Sequence, residues 1–292
     1  MDRLKATIVI PTYNRKDKLK ELLDRLQRED YPREKFEIIV IDDGSSDGTV
    51  EFLKSYSPSF NMVTIFHKEN KGSAASRNDG IKAASNQIII FLDDDLVTEP
   101  GIIFHHTKHH YGKKCAVIGD IRYQETFSTR WISRYLSTRG VHKIKPGKKI
   151  PFKCFWTSNA SVKKEQLLAV SLFDERFRGA GGEDTDIAYR LERLGVEFVY
   201  EKDAVCYHCP VSLDELLRKQ EDFASKALPL LIEKEPVFKR VFKVHLLKNP
   251  FFSFLTIPFV FQSVKLLAHI IKFLYLPPLI IDYLIFCKIM GR

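Results

Sequence analysis

Cysteine is scarce in this sequence of 292 residues: there are five, an odd number, scattered along the chain. That excludes a disulfide framework and fits a reducing, cytoplasmic setting. A secretory leader is also missing, because MDRLKATIVIPTYNRK runs from a short apolar stretch straight into a polar turn. Internal repeats and low-complexity segments are absent. No clean membrane span is present either. A spanning helix needs about 20 mostly apolar residues. The longest uncharged run of the C-terminal stretch, Asn249 to Val264, has sixteen and is broken by Pro258. Acid is missing locally: residues 126 to 164 contain no Asp or Glu but ten Lys or Arg. Such a segment is either a solvated basic loop or one that closes over phosphates.

What is present suits a folded chain with a sizeable core: 45% hydrophobic and 28% charged residues. The length allows one large α/β domain with an appendage. The net charge of +9 is uneven, since residues 232 to 292 hold nine Lys or Arg against three acids, 9 − 3 = +6. That segment is also rich in Phe, Leu and Ile. Basic plus apolar points to a membrane surface rather than to nucleic acid. The expectation is helices lying in the interface at the cytoplasmic face of the membrane, or a short re-entrant hairpin, against the plainer reading of a buried C-terminal helix pair.

The first ~120 residues alternate between strand and helix patterns. KATIVIP, FEIIVID, MVTIFH and QIIIFLD read as strands. RKDKLKELLDRLQRE places Leu19, Leu22, Leu23 and Leu26 on one helix face. SSDGTVEFLKSY and SAASRNDGIKAAS supply two more helices, with Asp47 as an N-cap. Apolar strands separated by amphipathic helices argue for a mostly parallel sheet covered on both faces. Ligands then bind beyond the carboxyl ends of the strands, where PTYN, DDGSSDG and DDD fall. Further on, GGEDTDIAYRLERLG opens a helix that Gly195 stops.

Four clusters carry candidate chemistry. Asp93, Asp94 and Asp95 repel one another and need a cation. A divalent metal is the simplest one. In an extended chain Asp93 and Asp95 share a face, and Asp95 is the better ligand. Asp42 and Asp43 end the second strand, with Gly44 for a tight turn, and can accept from a nucleobase or ribose hydroxyl. Lys71 and Arg77 lie near a helix start, where an arginine suits a diphosphate. Glu183 and Asp184 open a helix after three glycines, and Asp184 can accept a proton from a hydroxyl. His208 is either a core histidine or a metal ligand, with Cys206 or Cys209 as weaker companions.

Taken in order, IVIPTYNR, IDDGSSDGT, NKGSAASRNDGI, FLDDD and GGED resemble the family 2 inverting glycosyltransferases of GT-A fold, over about residues 5 to 210. The resemblance implies a nucleotide-sugar half, 1 to 120, and an acceptor half, 121 to 230, with residues 231 to 292 outside it. It implies that Pro11, Thr12, Tyr13 and Asp42 or Asp43 contact the nucleotide, most often uridine, with Arg77 near the diphosphate beside Asp93 and Asp94. Asp93 and Asp95 then flank Mn²⁺ or Mg²⁺, and His208 is a third ligand. Asp184 matches the catalytic base, and Glu183 helps place the acceptor. The expected reaction moves one sugar from a nucleotide diphosphate donor to a hydroxyl of a polyprenyl-linked or surface glycan. The sequence shows no Q-x-x-R-W motif, which disfavours a processive synthase. A nucleotidyltransferase of similar fold and a non-catalytic, membrane-anchored sugar-binding module are the alternatives.

Overall fold

The computed structural model describes residues 3–126, 129–145, 147–179, 181–209, 211–242, 244, 262–266 and 278–289. The chain divides into two compact units. The first comprises residues 1–122, 139–176 and 183–209; the second comprises 123–138, 177–182 and 210–292. The packing thus divides the chain near 209 and at two excursions rather than near 230.

In the first unit β1 (Ala6–Thr12) leads to α1 (Lys16–Leu26), β2 (Phe36–Asp42), α2 (Thr49–Ser55), β3 (Asn61–Phe66), α3 (Ser73–Ala83) and β4 (Ile88–Leu92). After these come β5 (Leu96–Thr98), α4 (Ile102–Thr107) and β6 (Cys115–Tyr123). Beyond α5 (Arg130–Leu136), which belongs to the second unit, follow β7 (Asn159–Lys163), α6 (Lys164–Ala169), α7 (Glu183–Arg193) and β8 (Glu197–His208). Among the described residues eight strands form one sheet, in the order β3-β2-β1-β4-β7-β6-β8-β5.

The nucleotide-side strands pair in parallel: β1 with β2, β1 with β4, and β2 with β3. The remaining registers are antiparallel: β4 with β7, β6 with β7, and β5 with β8. The sheet is therefore mixed. Parallel pairing ends where the helical crossovers of the first half end, because antiparallel neighbours need no crossover.

Strand alternation sends side chains to two faces. Val9, Ile39 and Ile89 meet Ala74 and Ile81 of α3 and Ile187 and Leu191 of α7. Ile8, Ile10, Ile38 and Ile90 meet the four α1 leucines, Leu53 and Ile102. Each fully buried leucine of α1 contributes on the order of 2 kcal/mol, which holds that helix where its N-terminus borders the strand ends. α3 has small residues instead, and its closeness to the sheet depends on Gly80. A Cβ there would come within 2.5 Å of Val9 Cγ1 and 2.9 Å of Ile41 Cδ1.

The second unit has its own core. α5 and α8 (Leu213–Asp222) are followed by α9 (Leu228–Lys234), α10 (Val237–Val241) and α11 (Pro278–Ile289). Ile281, Leu284 and Cys287 of α11 are buried with Trp131, Ile132 and Leu217. Tyr135 donates to Asp282 at 2.7 Å. This part of the basic, apolar tail is thus packed into the core of the second unit. Most of residues 245 to 290, expected to lie in a membrane interface, fall outside the described residues. Among the described residues no helix is long and apolar enough to cross a membrane.

Candidate active site

The candidate site lies entirely in the first unit, at the ends of β1, β2 and β4 and the start of α7. Two glycine-dependent features shape the β2 end. Gly44 has φ +81°, and a Cβ there would meet the Glu69 backbone at 2.8 Å. Only glycine fits both conditions without strain. Asp47 then accepts from the backbone of Thr49 at 3.1 Å and of Lys16 at 3.0 Å. It therefore satisfies amides at the first turns of both α2 and α1.

The two carboxylates that end β2 have different partners. Asp43 accepts the backbone N–H of Lys71 at 2.9 Å and of Gly72 at 2.8 Å, and its Oδ1 lies 2.7 Å from His67 Nδ1. These bonds shape the loop before α3. Asp42 is fully buried, and its Oδ2 accepts from Ser45 N at 3.2 Å while Oδ1 has no partner. Tyr13, at the β1 end, is 47% exposed, so its ring is available to stack on a planar ligand. Pro11 is half-buried beside it. Thr12 is buried and donates to Asp94 at 2.7 Å.

The aspartate triplet forms the turn between β4 and β5, not an extended strand. The alternation that would put Asp93 and Asp95 on one face does not apply. Asp94 and Asp95 instead converge on Arg15, whose Nη1 donates to them at 2.9 and 2.7 Å. Asp93 accepts from Arg77 Nη2 at 3.0 Å. Two arginines, rather than a metal alone, make the triplet tolerable. Burial pushes the Asp94 carboxyl up to about 6, against the pull of Arg15 and the Thr12 hydroxyl.

Arg77 is buried in α3 and bridges two segments. Its Nη1 donates to Glu183 Oε1 at 3.1 Å, and the Phe173 ring lies 5.9 Å from its guanidinium carbon. Burial opposes its charge, but Asp93, Asp184 and Glu183 outweigh that and hold it above the ordinary arginine value. Ser73 also donates to Glu183 Oε1, at 3.1 Å. Next in sequence, Asp184 accepts from the Thr157 hydroxyl at 2.6 Å and from its backbone N–H at 3.1 Å. Burial, then the neighbouring Glu183 charge, push the Asp184 carboxyl up to about 7, against Arg77 and Thr157.

His208, at the end of β8, has Nε2 3.7 Å from Asp95 Oδ1 and Nδ1 2.7 Å from the Cys209 carbonyl. Cys206 is buried in the core on β8, and no disulfide is present. His208 thus has one ring nitrogen toward the aspartate triplet and the other on the Cys209 backbone carbonyl.

Asp93, Asp94, Asp95, Glu183 and Asp184 are five carboxylates around two guanidinium groups, 5 − 2 = three in excess. This donor set of carboxylate oxygens plus one imidazole nitrogen suits Mn²⁺ or Mg²⁺. Asp95 and His208, 3.7 Å apart, are the pair in reach of one divalent ion, whereas Asp93, expected to share it, is turned to Arg77 and does not complete a three-ligand group with them. Three buried polar atoms here, Asp42 Oδ1, Arg77 Nε and Glu183 Oε2, lack a hydrogen-bond partner. Orphaned buried polar atoms are rare in folded proteins, which makes these three candidates for ligand contacts.

A family model described as glycosyl transferase family 2 matches residues 7–176, more than half of the chain. The chain belongs to that family. It is 27% identical over 255 residues to the uncharacterized glycosyltransferase YfnE of Bacillus subtilis (strain 168), a match covering 70% of this chain and 64% of that one. It is 38% identical over 94 residues to the poly(ribitol-phosphate) beta-glucosyltransferase of Bacillus spizizenii, covering 32% of this chain and 15% of that protein. The chain thus spans less than two thirds of the length of either relative. Among solved structures it is similar to the mannosyltransferase PcManGT from Pyrobaculum calidifontis in complex with GDP-Man and Mn²⁺. The TM-score there is 0.66 at 18% identity, over 99% of this chain and 87% of that one. That likeness shows the GT-A fold.

The structure brings together Thr12, Asp93, Asp94, Asp95, Arg77, Glu183, Asp184 and His208 through the contacts above. It also adds Arg15, Thr157 and Ser73, which the motif reading did not single out. Arg15 closes the PTYNR stretch, and its position at a strand end next to an acidic triplet was the available signal. Thr157 and Ser73 carried none, since single hydroxyl residues are common in loops and helix starts.

Proposed function

We propose that this protein is an inverting glycosyltransferase that moves one sugar from a nucleotide diphosphate donor, a UDP-sugar, to a hydroxyl of a lipid-linked or cell-surface glycan. The observation that carries the reading is Asp184. Its carboxylate is oriented by two hydrogen bonds from Thr157 and poised near neutrality beside a charged Arg77. A base with that poise accepts a proton efficiently at cellular pH.

In this reading Asp184 takes the proton of the acceptor hydroxyl as its oxygen bonds to the anomeric carbon. The bond from that carbon to the diphosphate oxygen breaks, and the nucleoside diphosphate leaves with the electron pair. Attack opposite the leaving group inverts the anomeric centre, and no covalent intermediate forms. Glu183, with Oε1 held by Arg77 and Ser73, keeps Oε2 for the acceptor. Tyr13 and Asp42 face the nucleotide. When bound, a divalent cation held by Asp95 and His208 would supply positive charge to the departing diphosphate. A surface-glycan acceptor is favoured by the similarity to a poly(ribitol-phosphate) glucosyltransferase. A place at the cytoplasmic face of the membrane rests on the basic, apolar composition of residues 232 to 292.

The test is nucleoside diphosphate release from a panel of nucleotide sugars with Mn²⁺, Mg²⁺ or EDTA. Metal-dependent release from one donor, lost in Asp184→Asn with nucleotide binding retained, supports the reading. Neither release nor binding with any metal would end it.

A further inference from the structure

The basic segment 126 to 164 meets the aspartate triplet through its backbone, where the Ser158 carbonyl accepts from Asp93 N at 3.2 Å, and not through its lysines. Its lysines have other positions. Lys149 pairs with Glu192 at 3.1 Å and Lys164 donates to the Ala84 carbonyl at 2.6 Å. Lys145 and Lys148 line a cavity of about 860 Å³, together with Lys202, Lys108 and His142. Among the described residues Lys145, Lys148 and Lys202 have no carboxylate within ion-pair distance, so three ammonium groups face this space uncompensated. The two carboxylates of the wall do not cancel them. Glu201 is already shared by Lys108 at 2.7 Å and His109 at 2.5 Å, which leaves Asp203 as one exposed acid. The floor is apolar, formed by Val141, Ile144, Ile150 and Phe198. A cavity of this size holds a small ligand, and the lining asks for one with anionic groups and a less polar body.

The cavity is tied to the catalytic base through the chain itself. Its wall begins at Val141, next to Gly140, where a Cβ would come within 2.9 Å of the Trp156 ring. Trp156 precedes Thr157, which holds Asp184 by two hydrogen bonds. On the other side, His142 Nε2 lies 3.4 Å from Asp120, whose other contacts include the Tyr200 hydroxyl at 2.9 Å. The wall is thus anchored to β6 and abuts the loop that positions the base.

We propose that this cavity is the binding site for a phosphate group of the acceptor, held by Lys145, Lys148 and Lys202 while the accepting hydroxyl lies at Asp184. This inference rests on the transferase reading for the second half of the statement and on the cavity alone for the first. The phosphate is carried either by a soluble phosphodiester polymer or by a lipid headgroup.

Titration calorimetry on the full chain separates these cases. The probes are oligomers of glycerol phosphate, uncharged glucose oligomers of the same length, and vesicles of phosphatidylcholine with and without phosphatidic acid. The expected result is binding of a phosphate probe, weakened by added salt, and at least about tenfold weaker in the Lys145→Ala/Lys148→Ala variant, since near-surface charge pairs with phosphate contribute about 1 kcal/mol each. Binding of the soluble oligomer assigns a polymer source, and binding of the phosphatidic acid vesicles alone assigns a lipid source. Both residues are exposed lysines, and an unchanged melting midpoint shows that the variant is folded. Equal affinity of the variant and the unaltered protein, equal binding of the uncharged oligomer, or no binding of either phosphate probe overturns the proposal. If phosphate binds as expected but the unaltered protein releases no nucleotide from any sugar donor, the transferase reading fails and the anion site stands.

Discussion

Arg15 Nη1 donates to Asp95 Oδ2 at 2.7 Å, while the other oxygen of Asp95 lies 3.7 Å from His208. One carboxylate therefore faces an internal cation on one side and a metal-type ligand on the other. Arg15 competes electrostatically with any ion that Asp95 would hold. Replacing Arg15 with Gln should raise the apparent affinity for Mn²⁺ roughly threefold to tenfold, an effect of about 1 kcal/mol. The melting midpoint in EDTA should fall, and the gain on adding Mn²⁺ should grow. A thermal shift series with and without Mn²⁺ reads both, and an unchanged Mn²⁺ response would show that Arg15 and the ion do not share Asp95.

Asp184 must be ionised to act as a base, and its carboxyl is pushed up to about 7. Turnover should rise roughly tenfold per pH unit below that value and level off above it. Thr157→Val removes a hydrogen bond that favours the ionised form, so the rising limb should move to higher pH. A pH profile whose limb stays in place would show that another group controls it.

The same shift has a sign for stability. The folded carboxyl binds its proton more tightly than the unfolded one, so its contribution is present below the ordinary aspartate range and is lost as pH rises through about 7. Asp184→Asn should therefore raise the melting midpoint most above about pH 7, and by progressively less as the pH falls toward the ordinary aspartate value. Equal shifts at both ends would contradict burial of the charge as the cause.

Arg77 has two carboxylate partners in a buried setting. Arg77→Ala leaves Asp93 and Glu183 uncompensated and should cost about 3–5 kcal/mol in urea unfolding without any ligand. A loss of activity with unchanged unfolding would instead make Arg77 purely a substrate contact.

His106 and His110 form a buried polar group with Asn159 and Ser161, at 2.8 Å from His106 Nε2 to Asn159 Oδ1 and 2.8 Å from His110 Nε2 to Ser161 Oγ. Burial holds them down to about 4 and about 3. Both are neutral in the fold, so their contribution is whole above the ordinary histidine value and is lost as pH falls toward those lower values. His106→Gln should flatten the acid side of a stability–pH curve. A curve as steep as before would place the acid sensitivity elsewhere.

Much of the first half was legible because its signals are local. The four α1 leucines, the apolar strands and the glycine turn at Gly44 each follow from spacing within a few residues. The mixed pairing of β5 to β8 was not legible. Short strands carry no mark of which neighbour they will meet, and sequence order gave no hint that β7 lies between β4 and β6. In the site, residue types were readable and partners were not. The aspartate triplet announced a need for positive charge, but nothing near it in sequence pointed to Arg15, some 80 residues away. Asp43 reads as a nucleotide contact, and nothing in the motif announces its internal partners Lys71, Gly72 and His67. Such exchanges depend on loop conformation, which motif spacing does not encode.

Arg77 joins Asp93, 16 residues ahead, to Glu183, 106 residues ahead. This sets a lower limit on how the chain can be dissected. The family model ends at residue 176, before Glu183, Asp184 and His208. A fragment cut there would keep the donor-side motifs but leave Arg77 with only one of its two carboxylate partners and no base. The smallest piece that carries every group of this site has to run through residue 208.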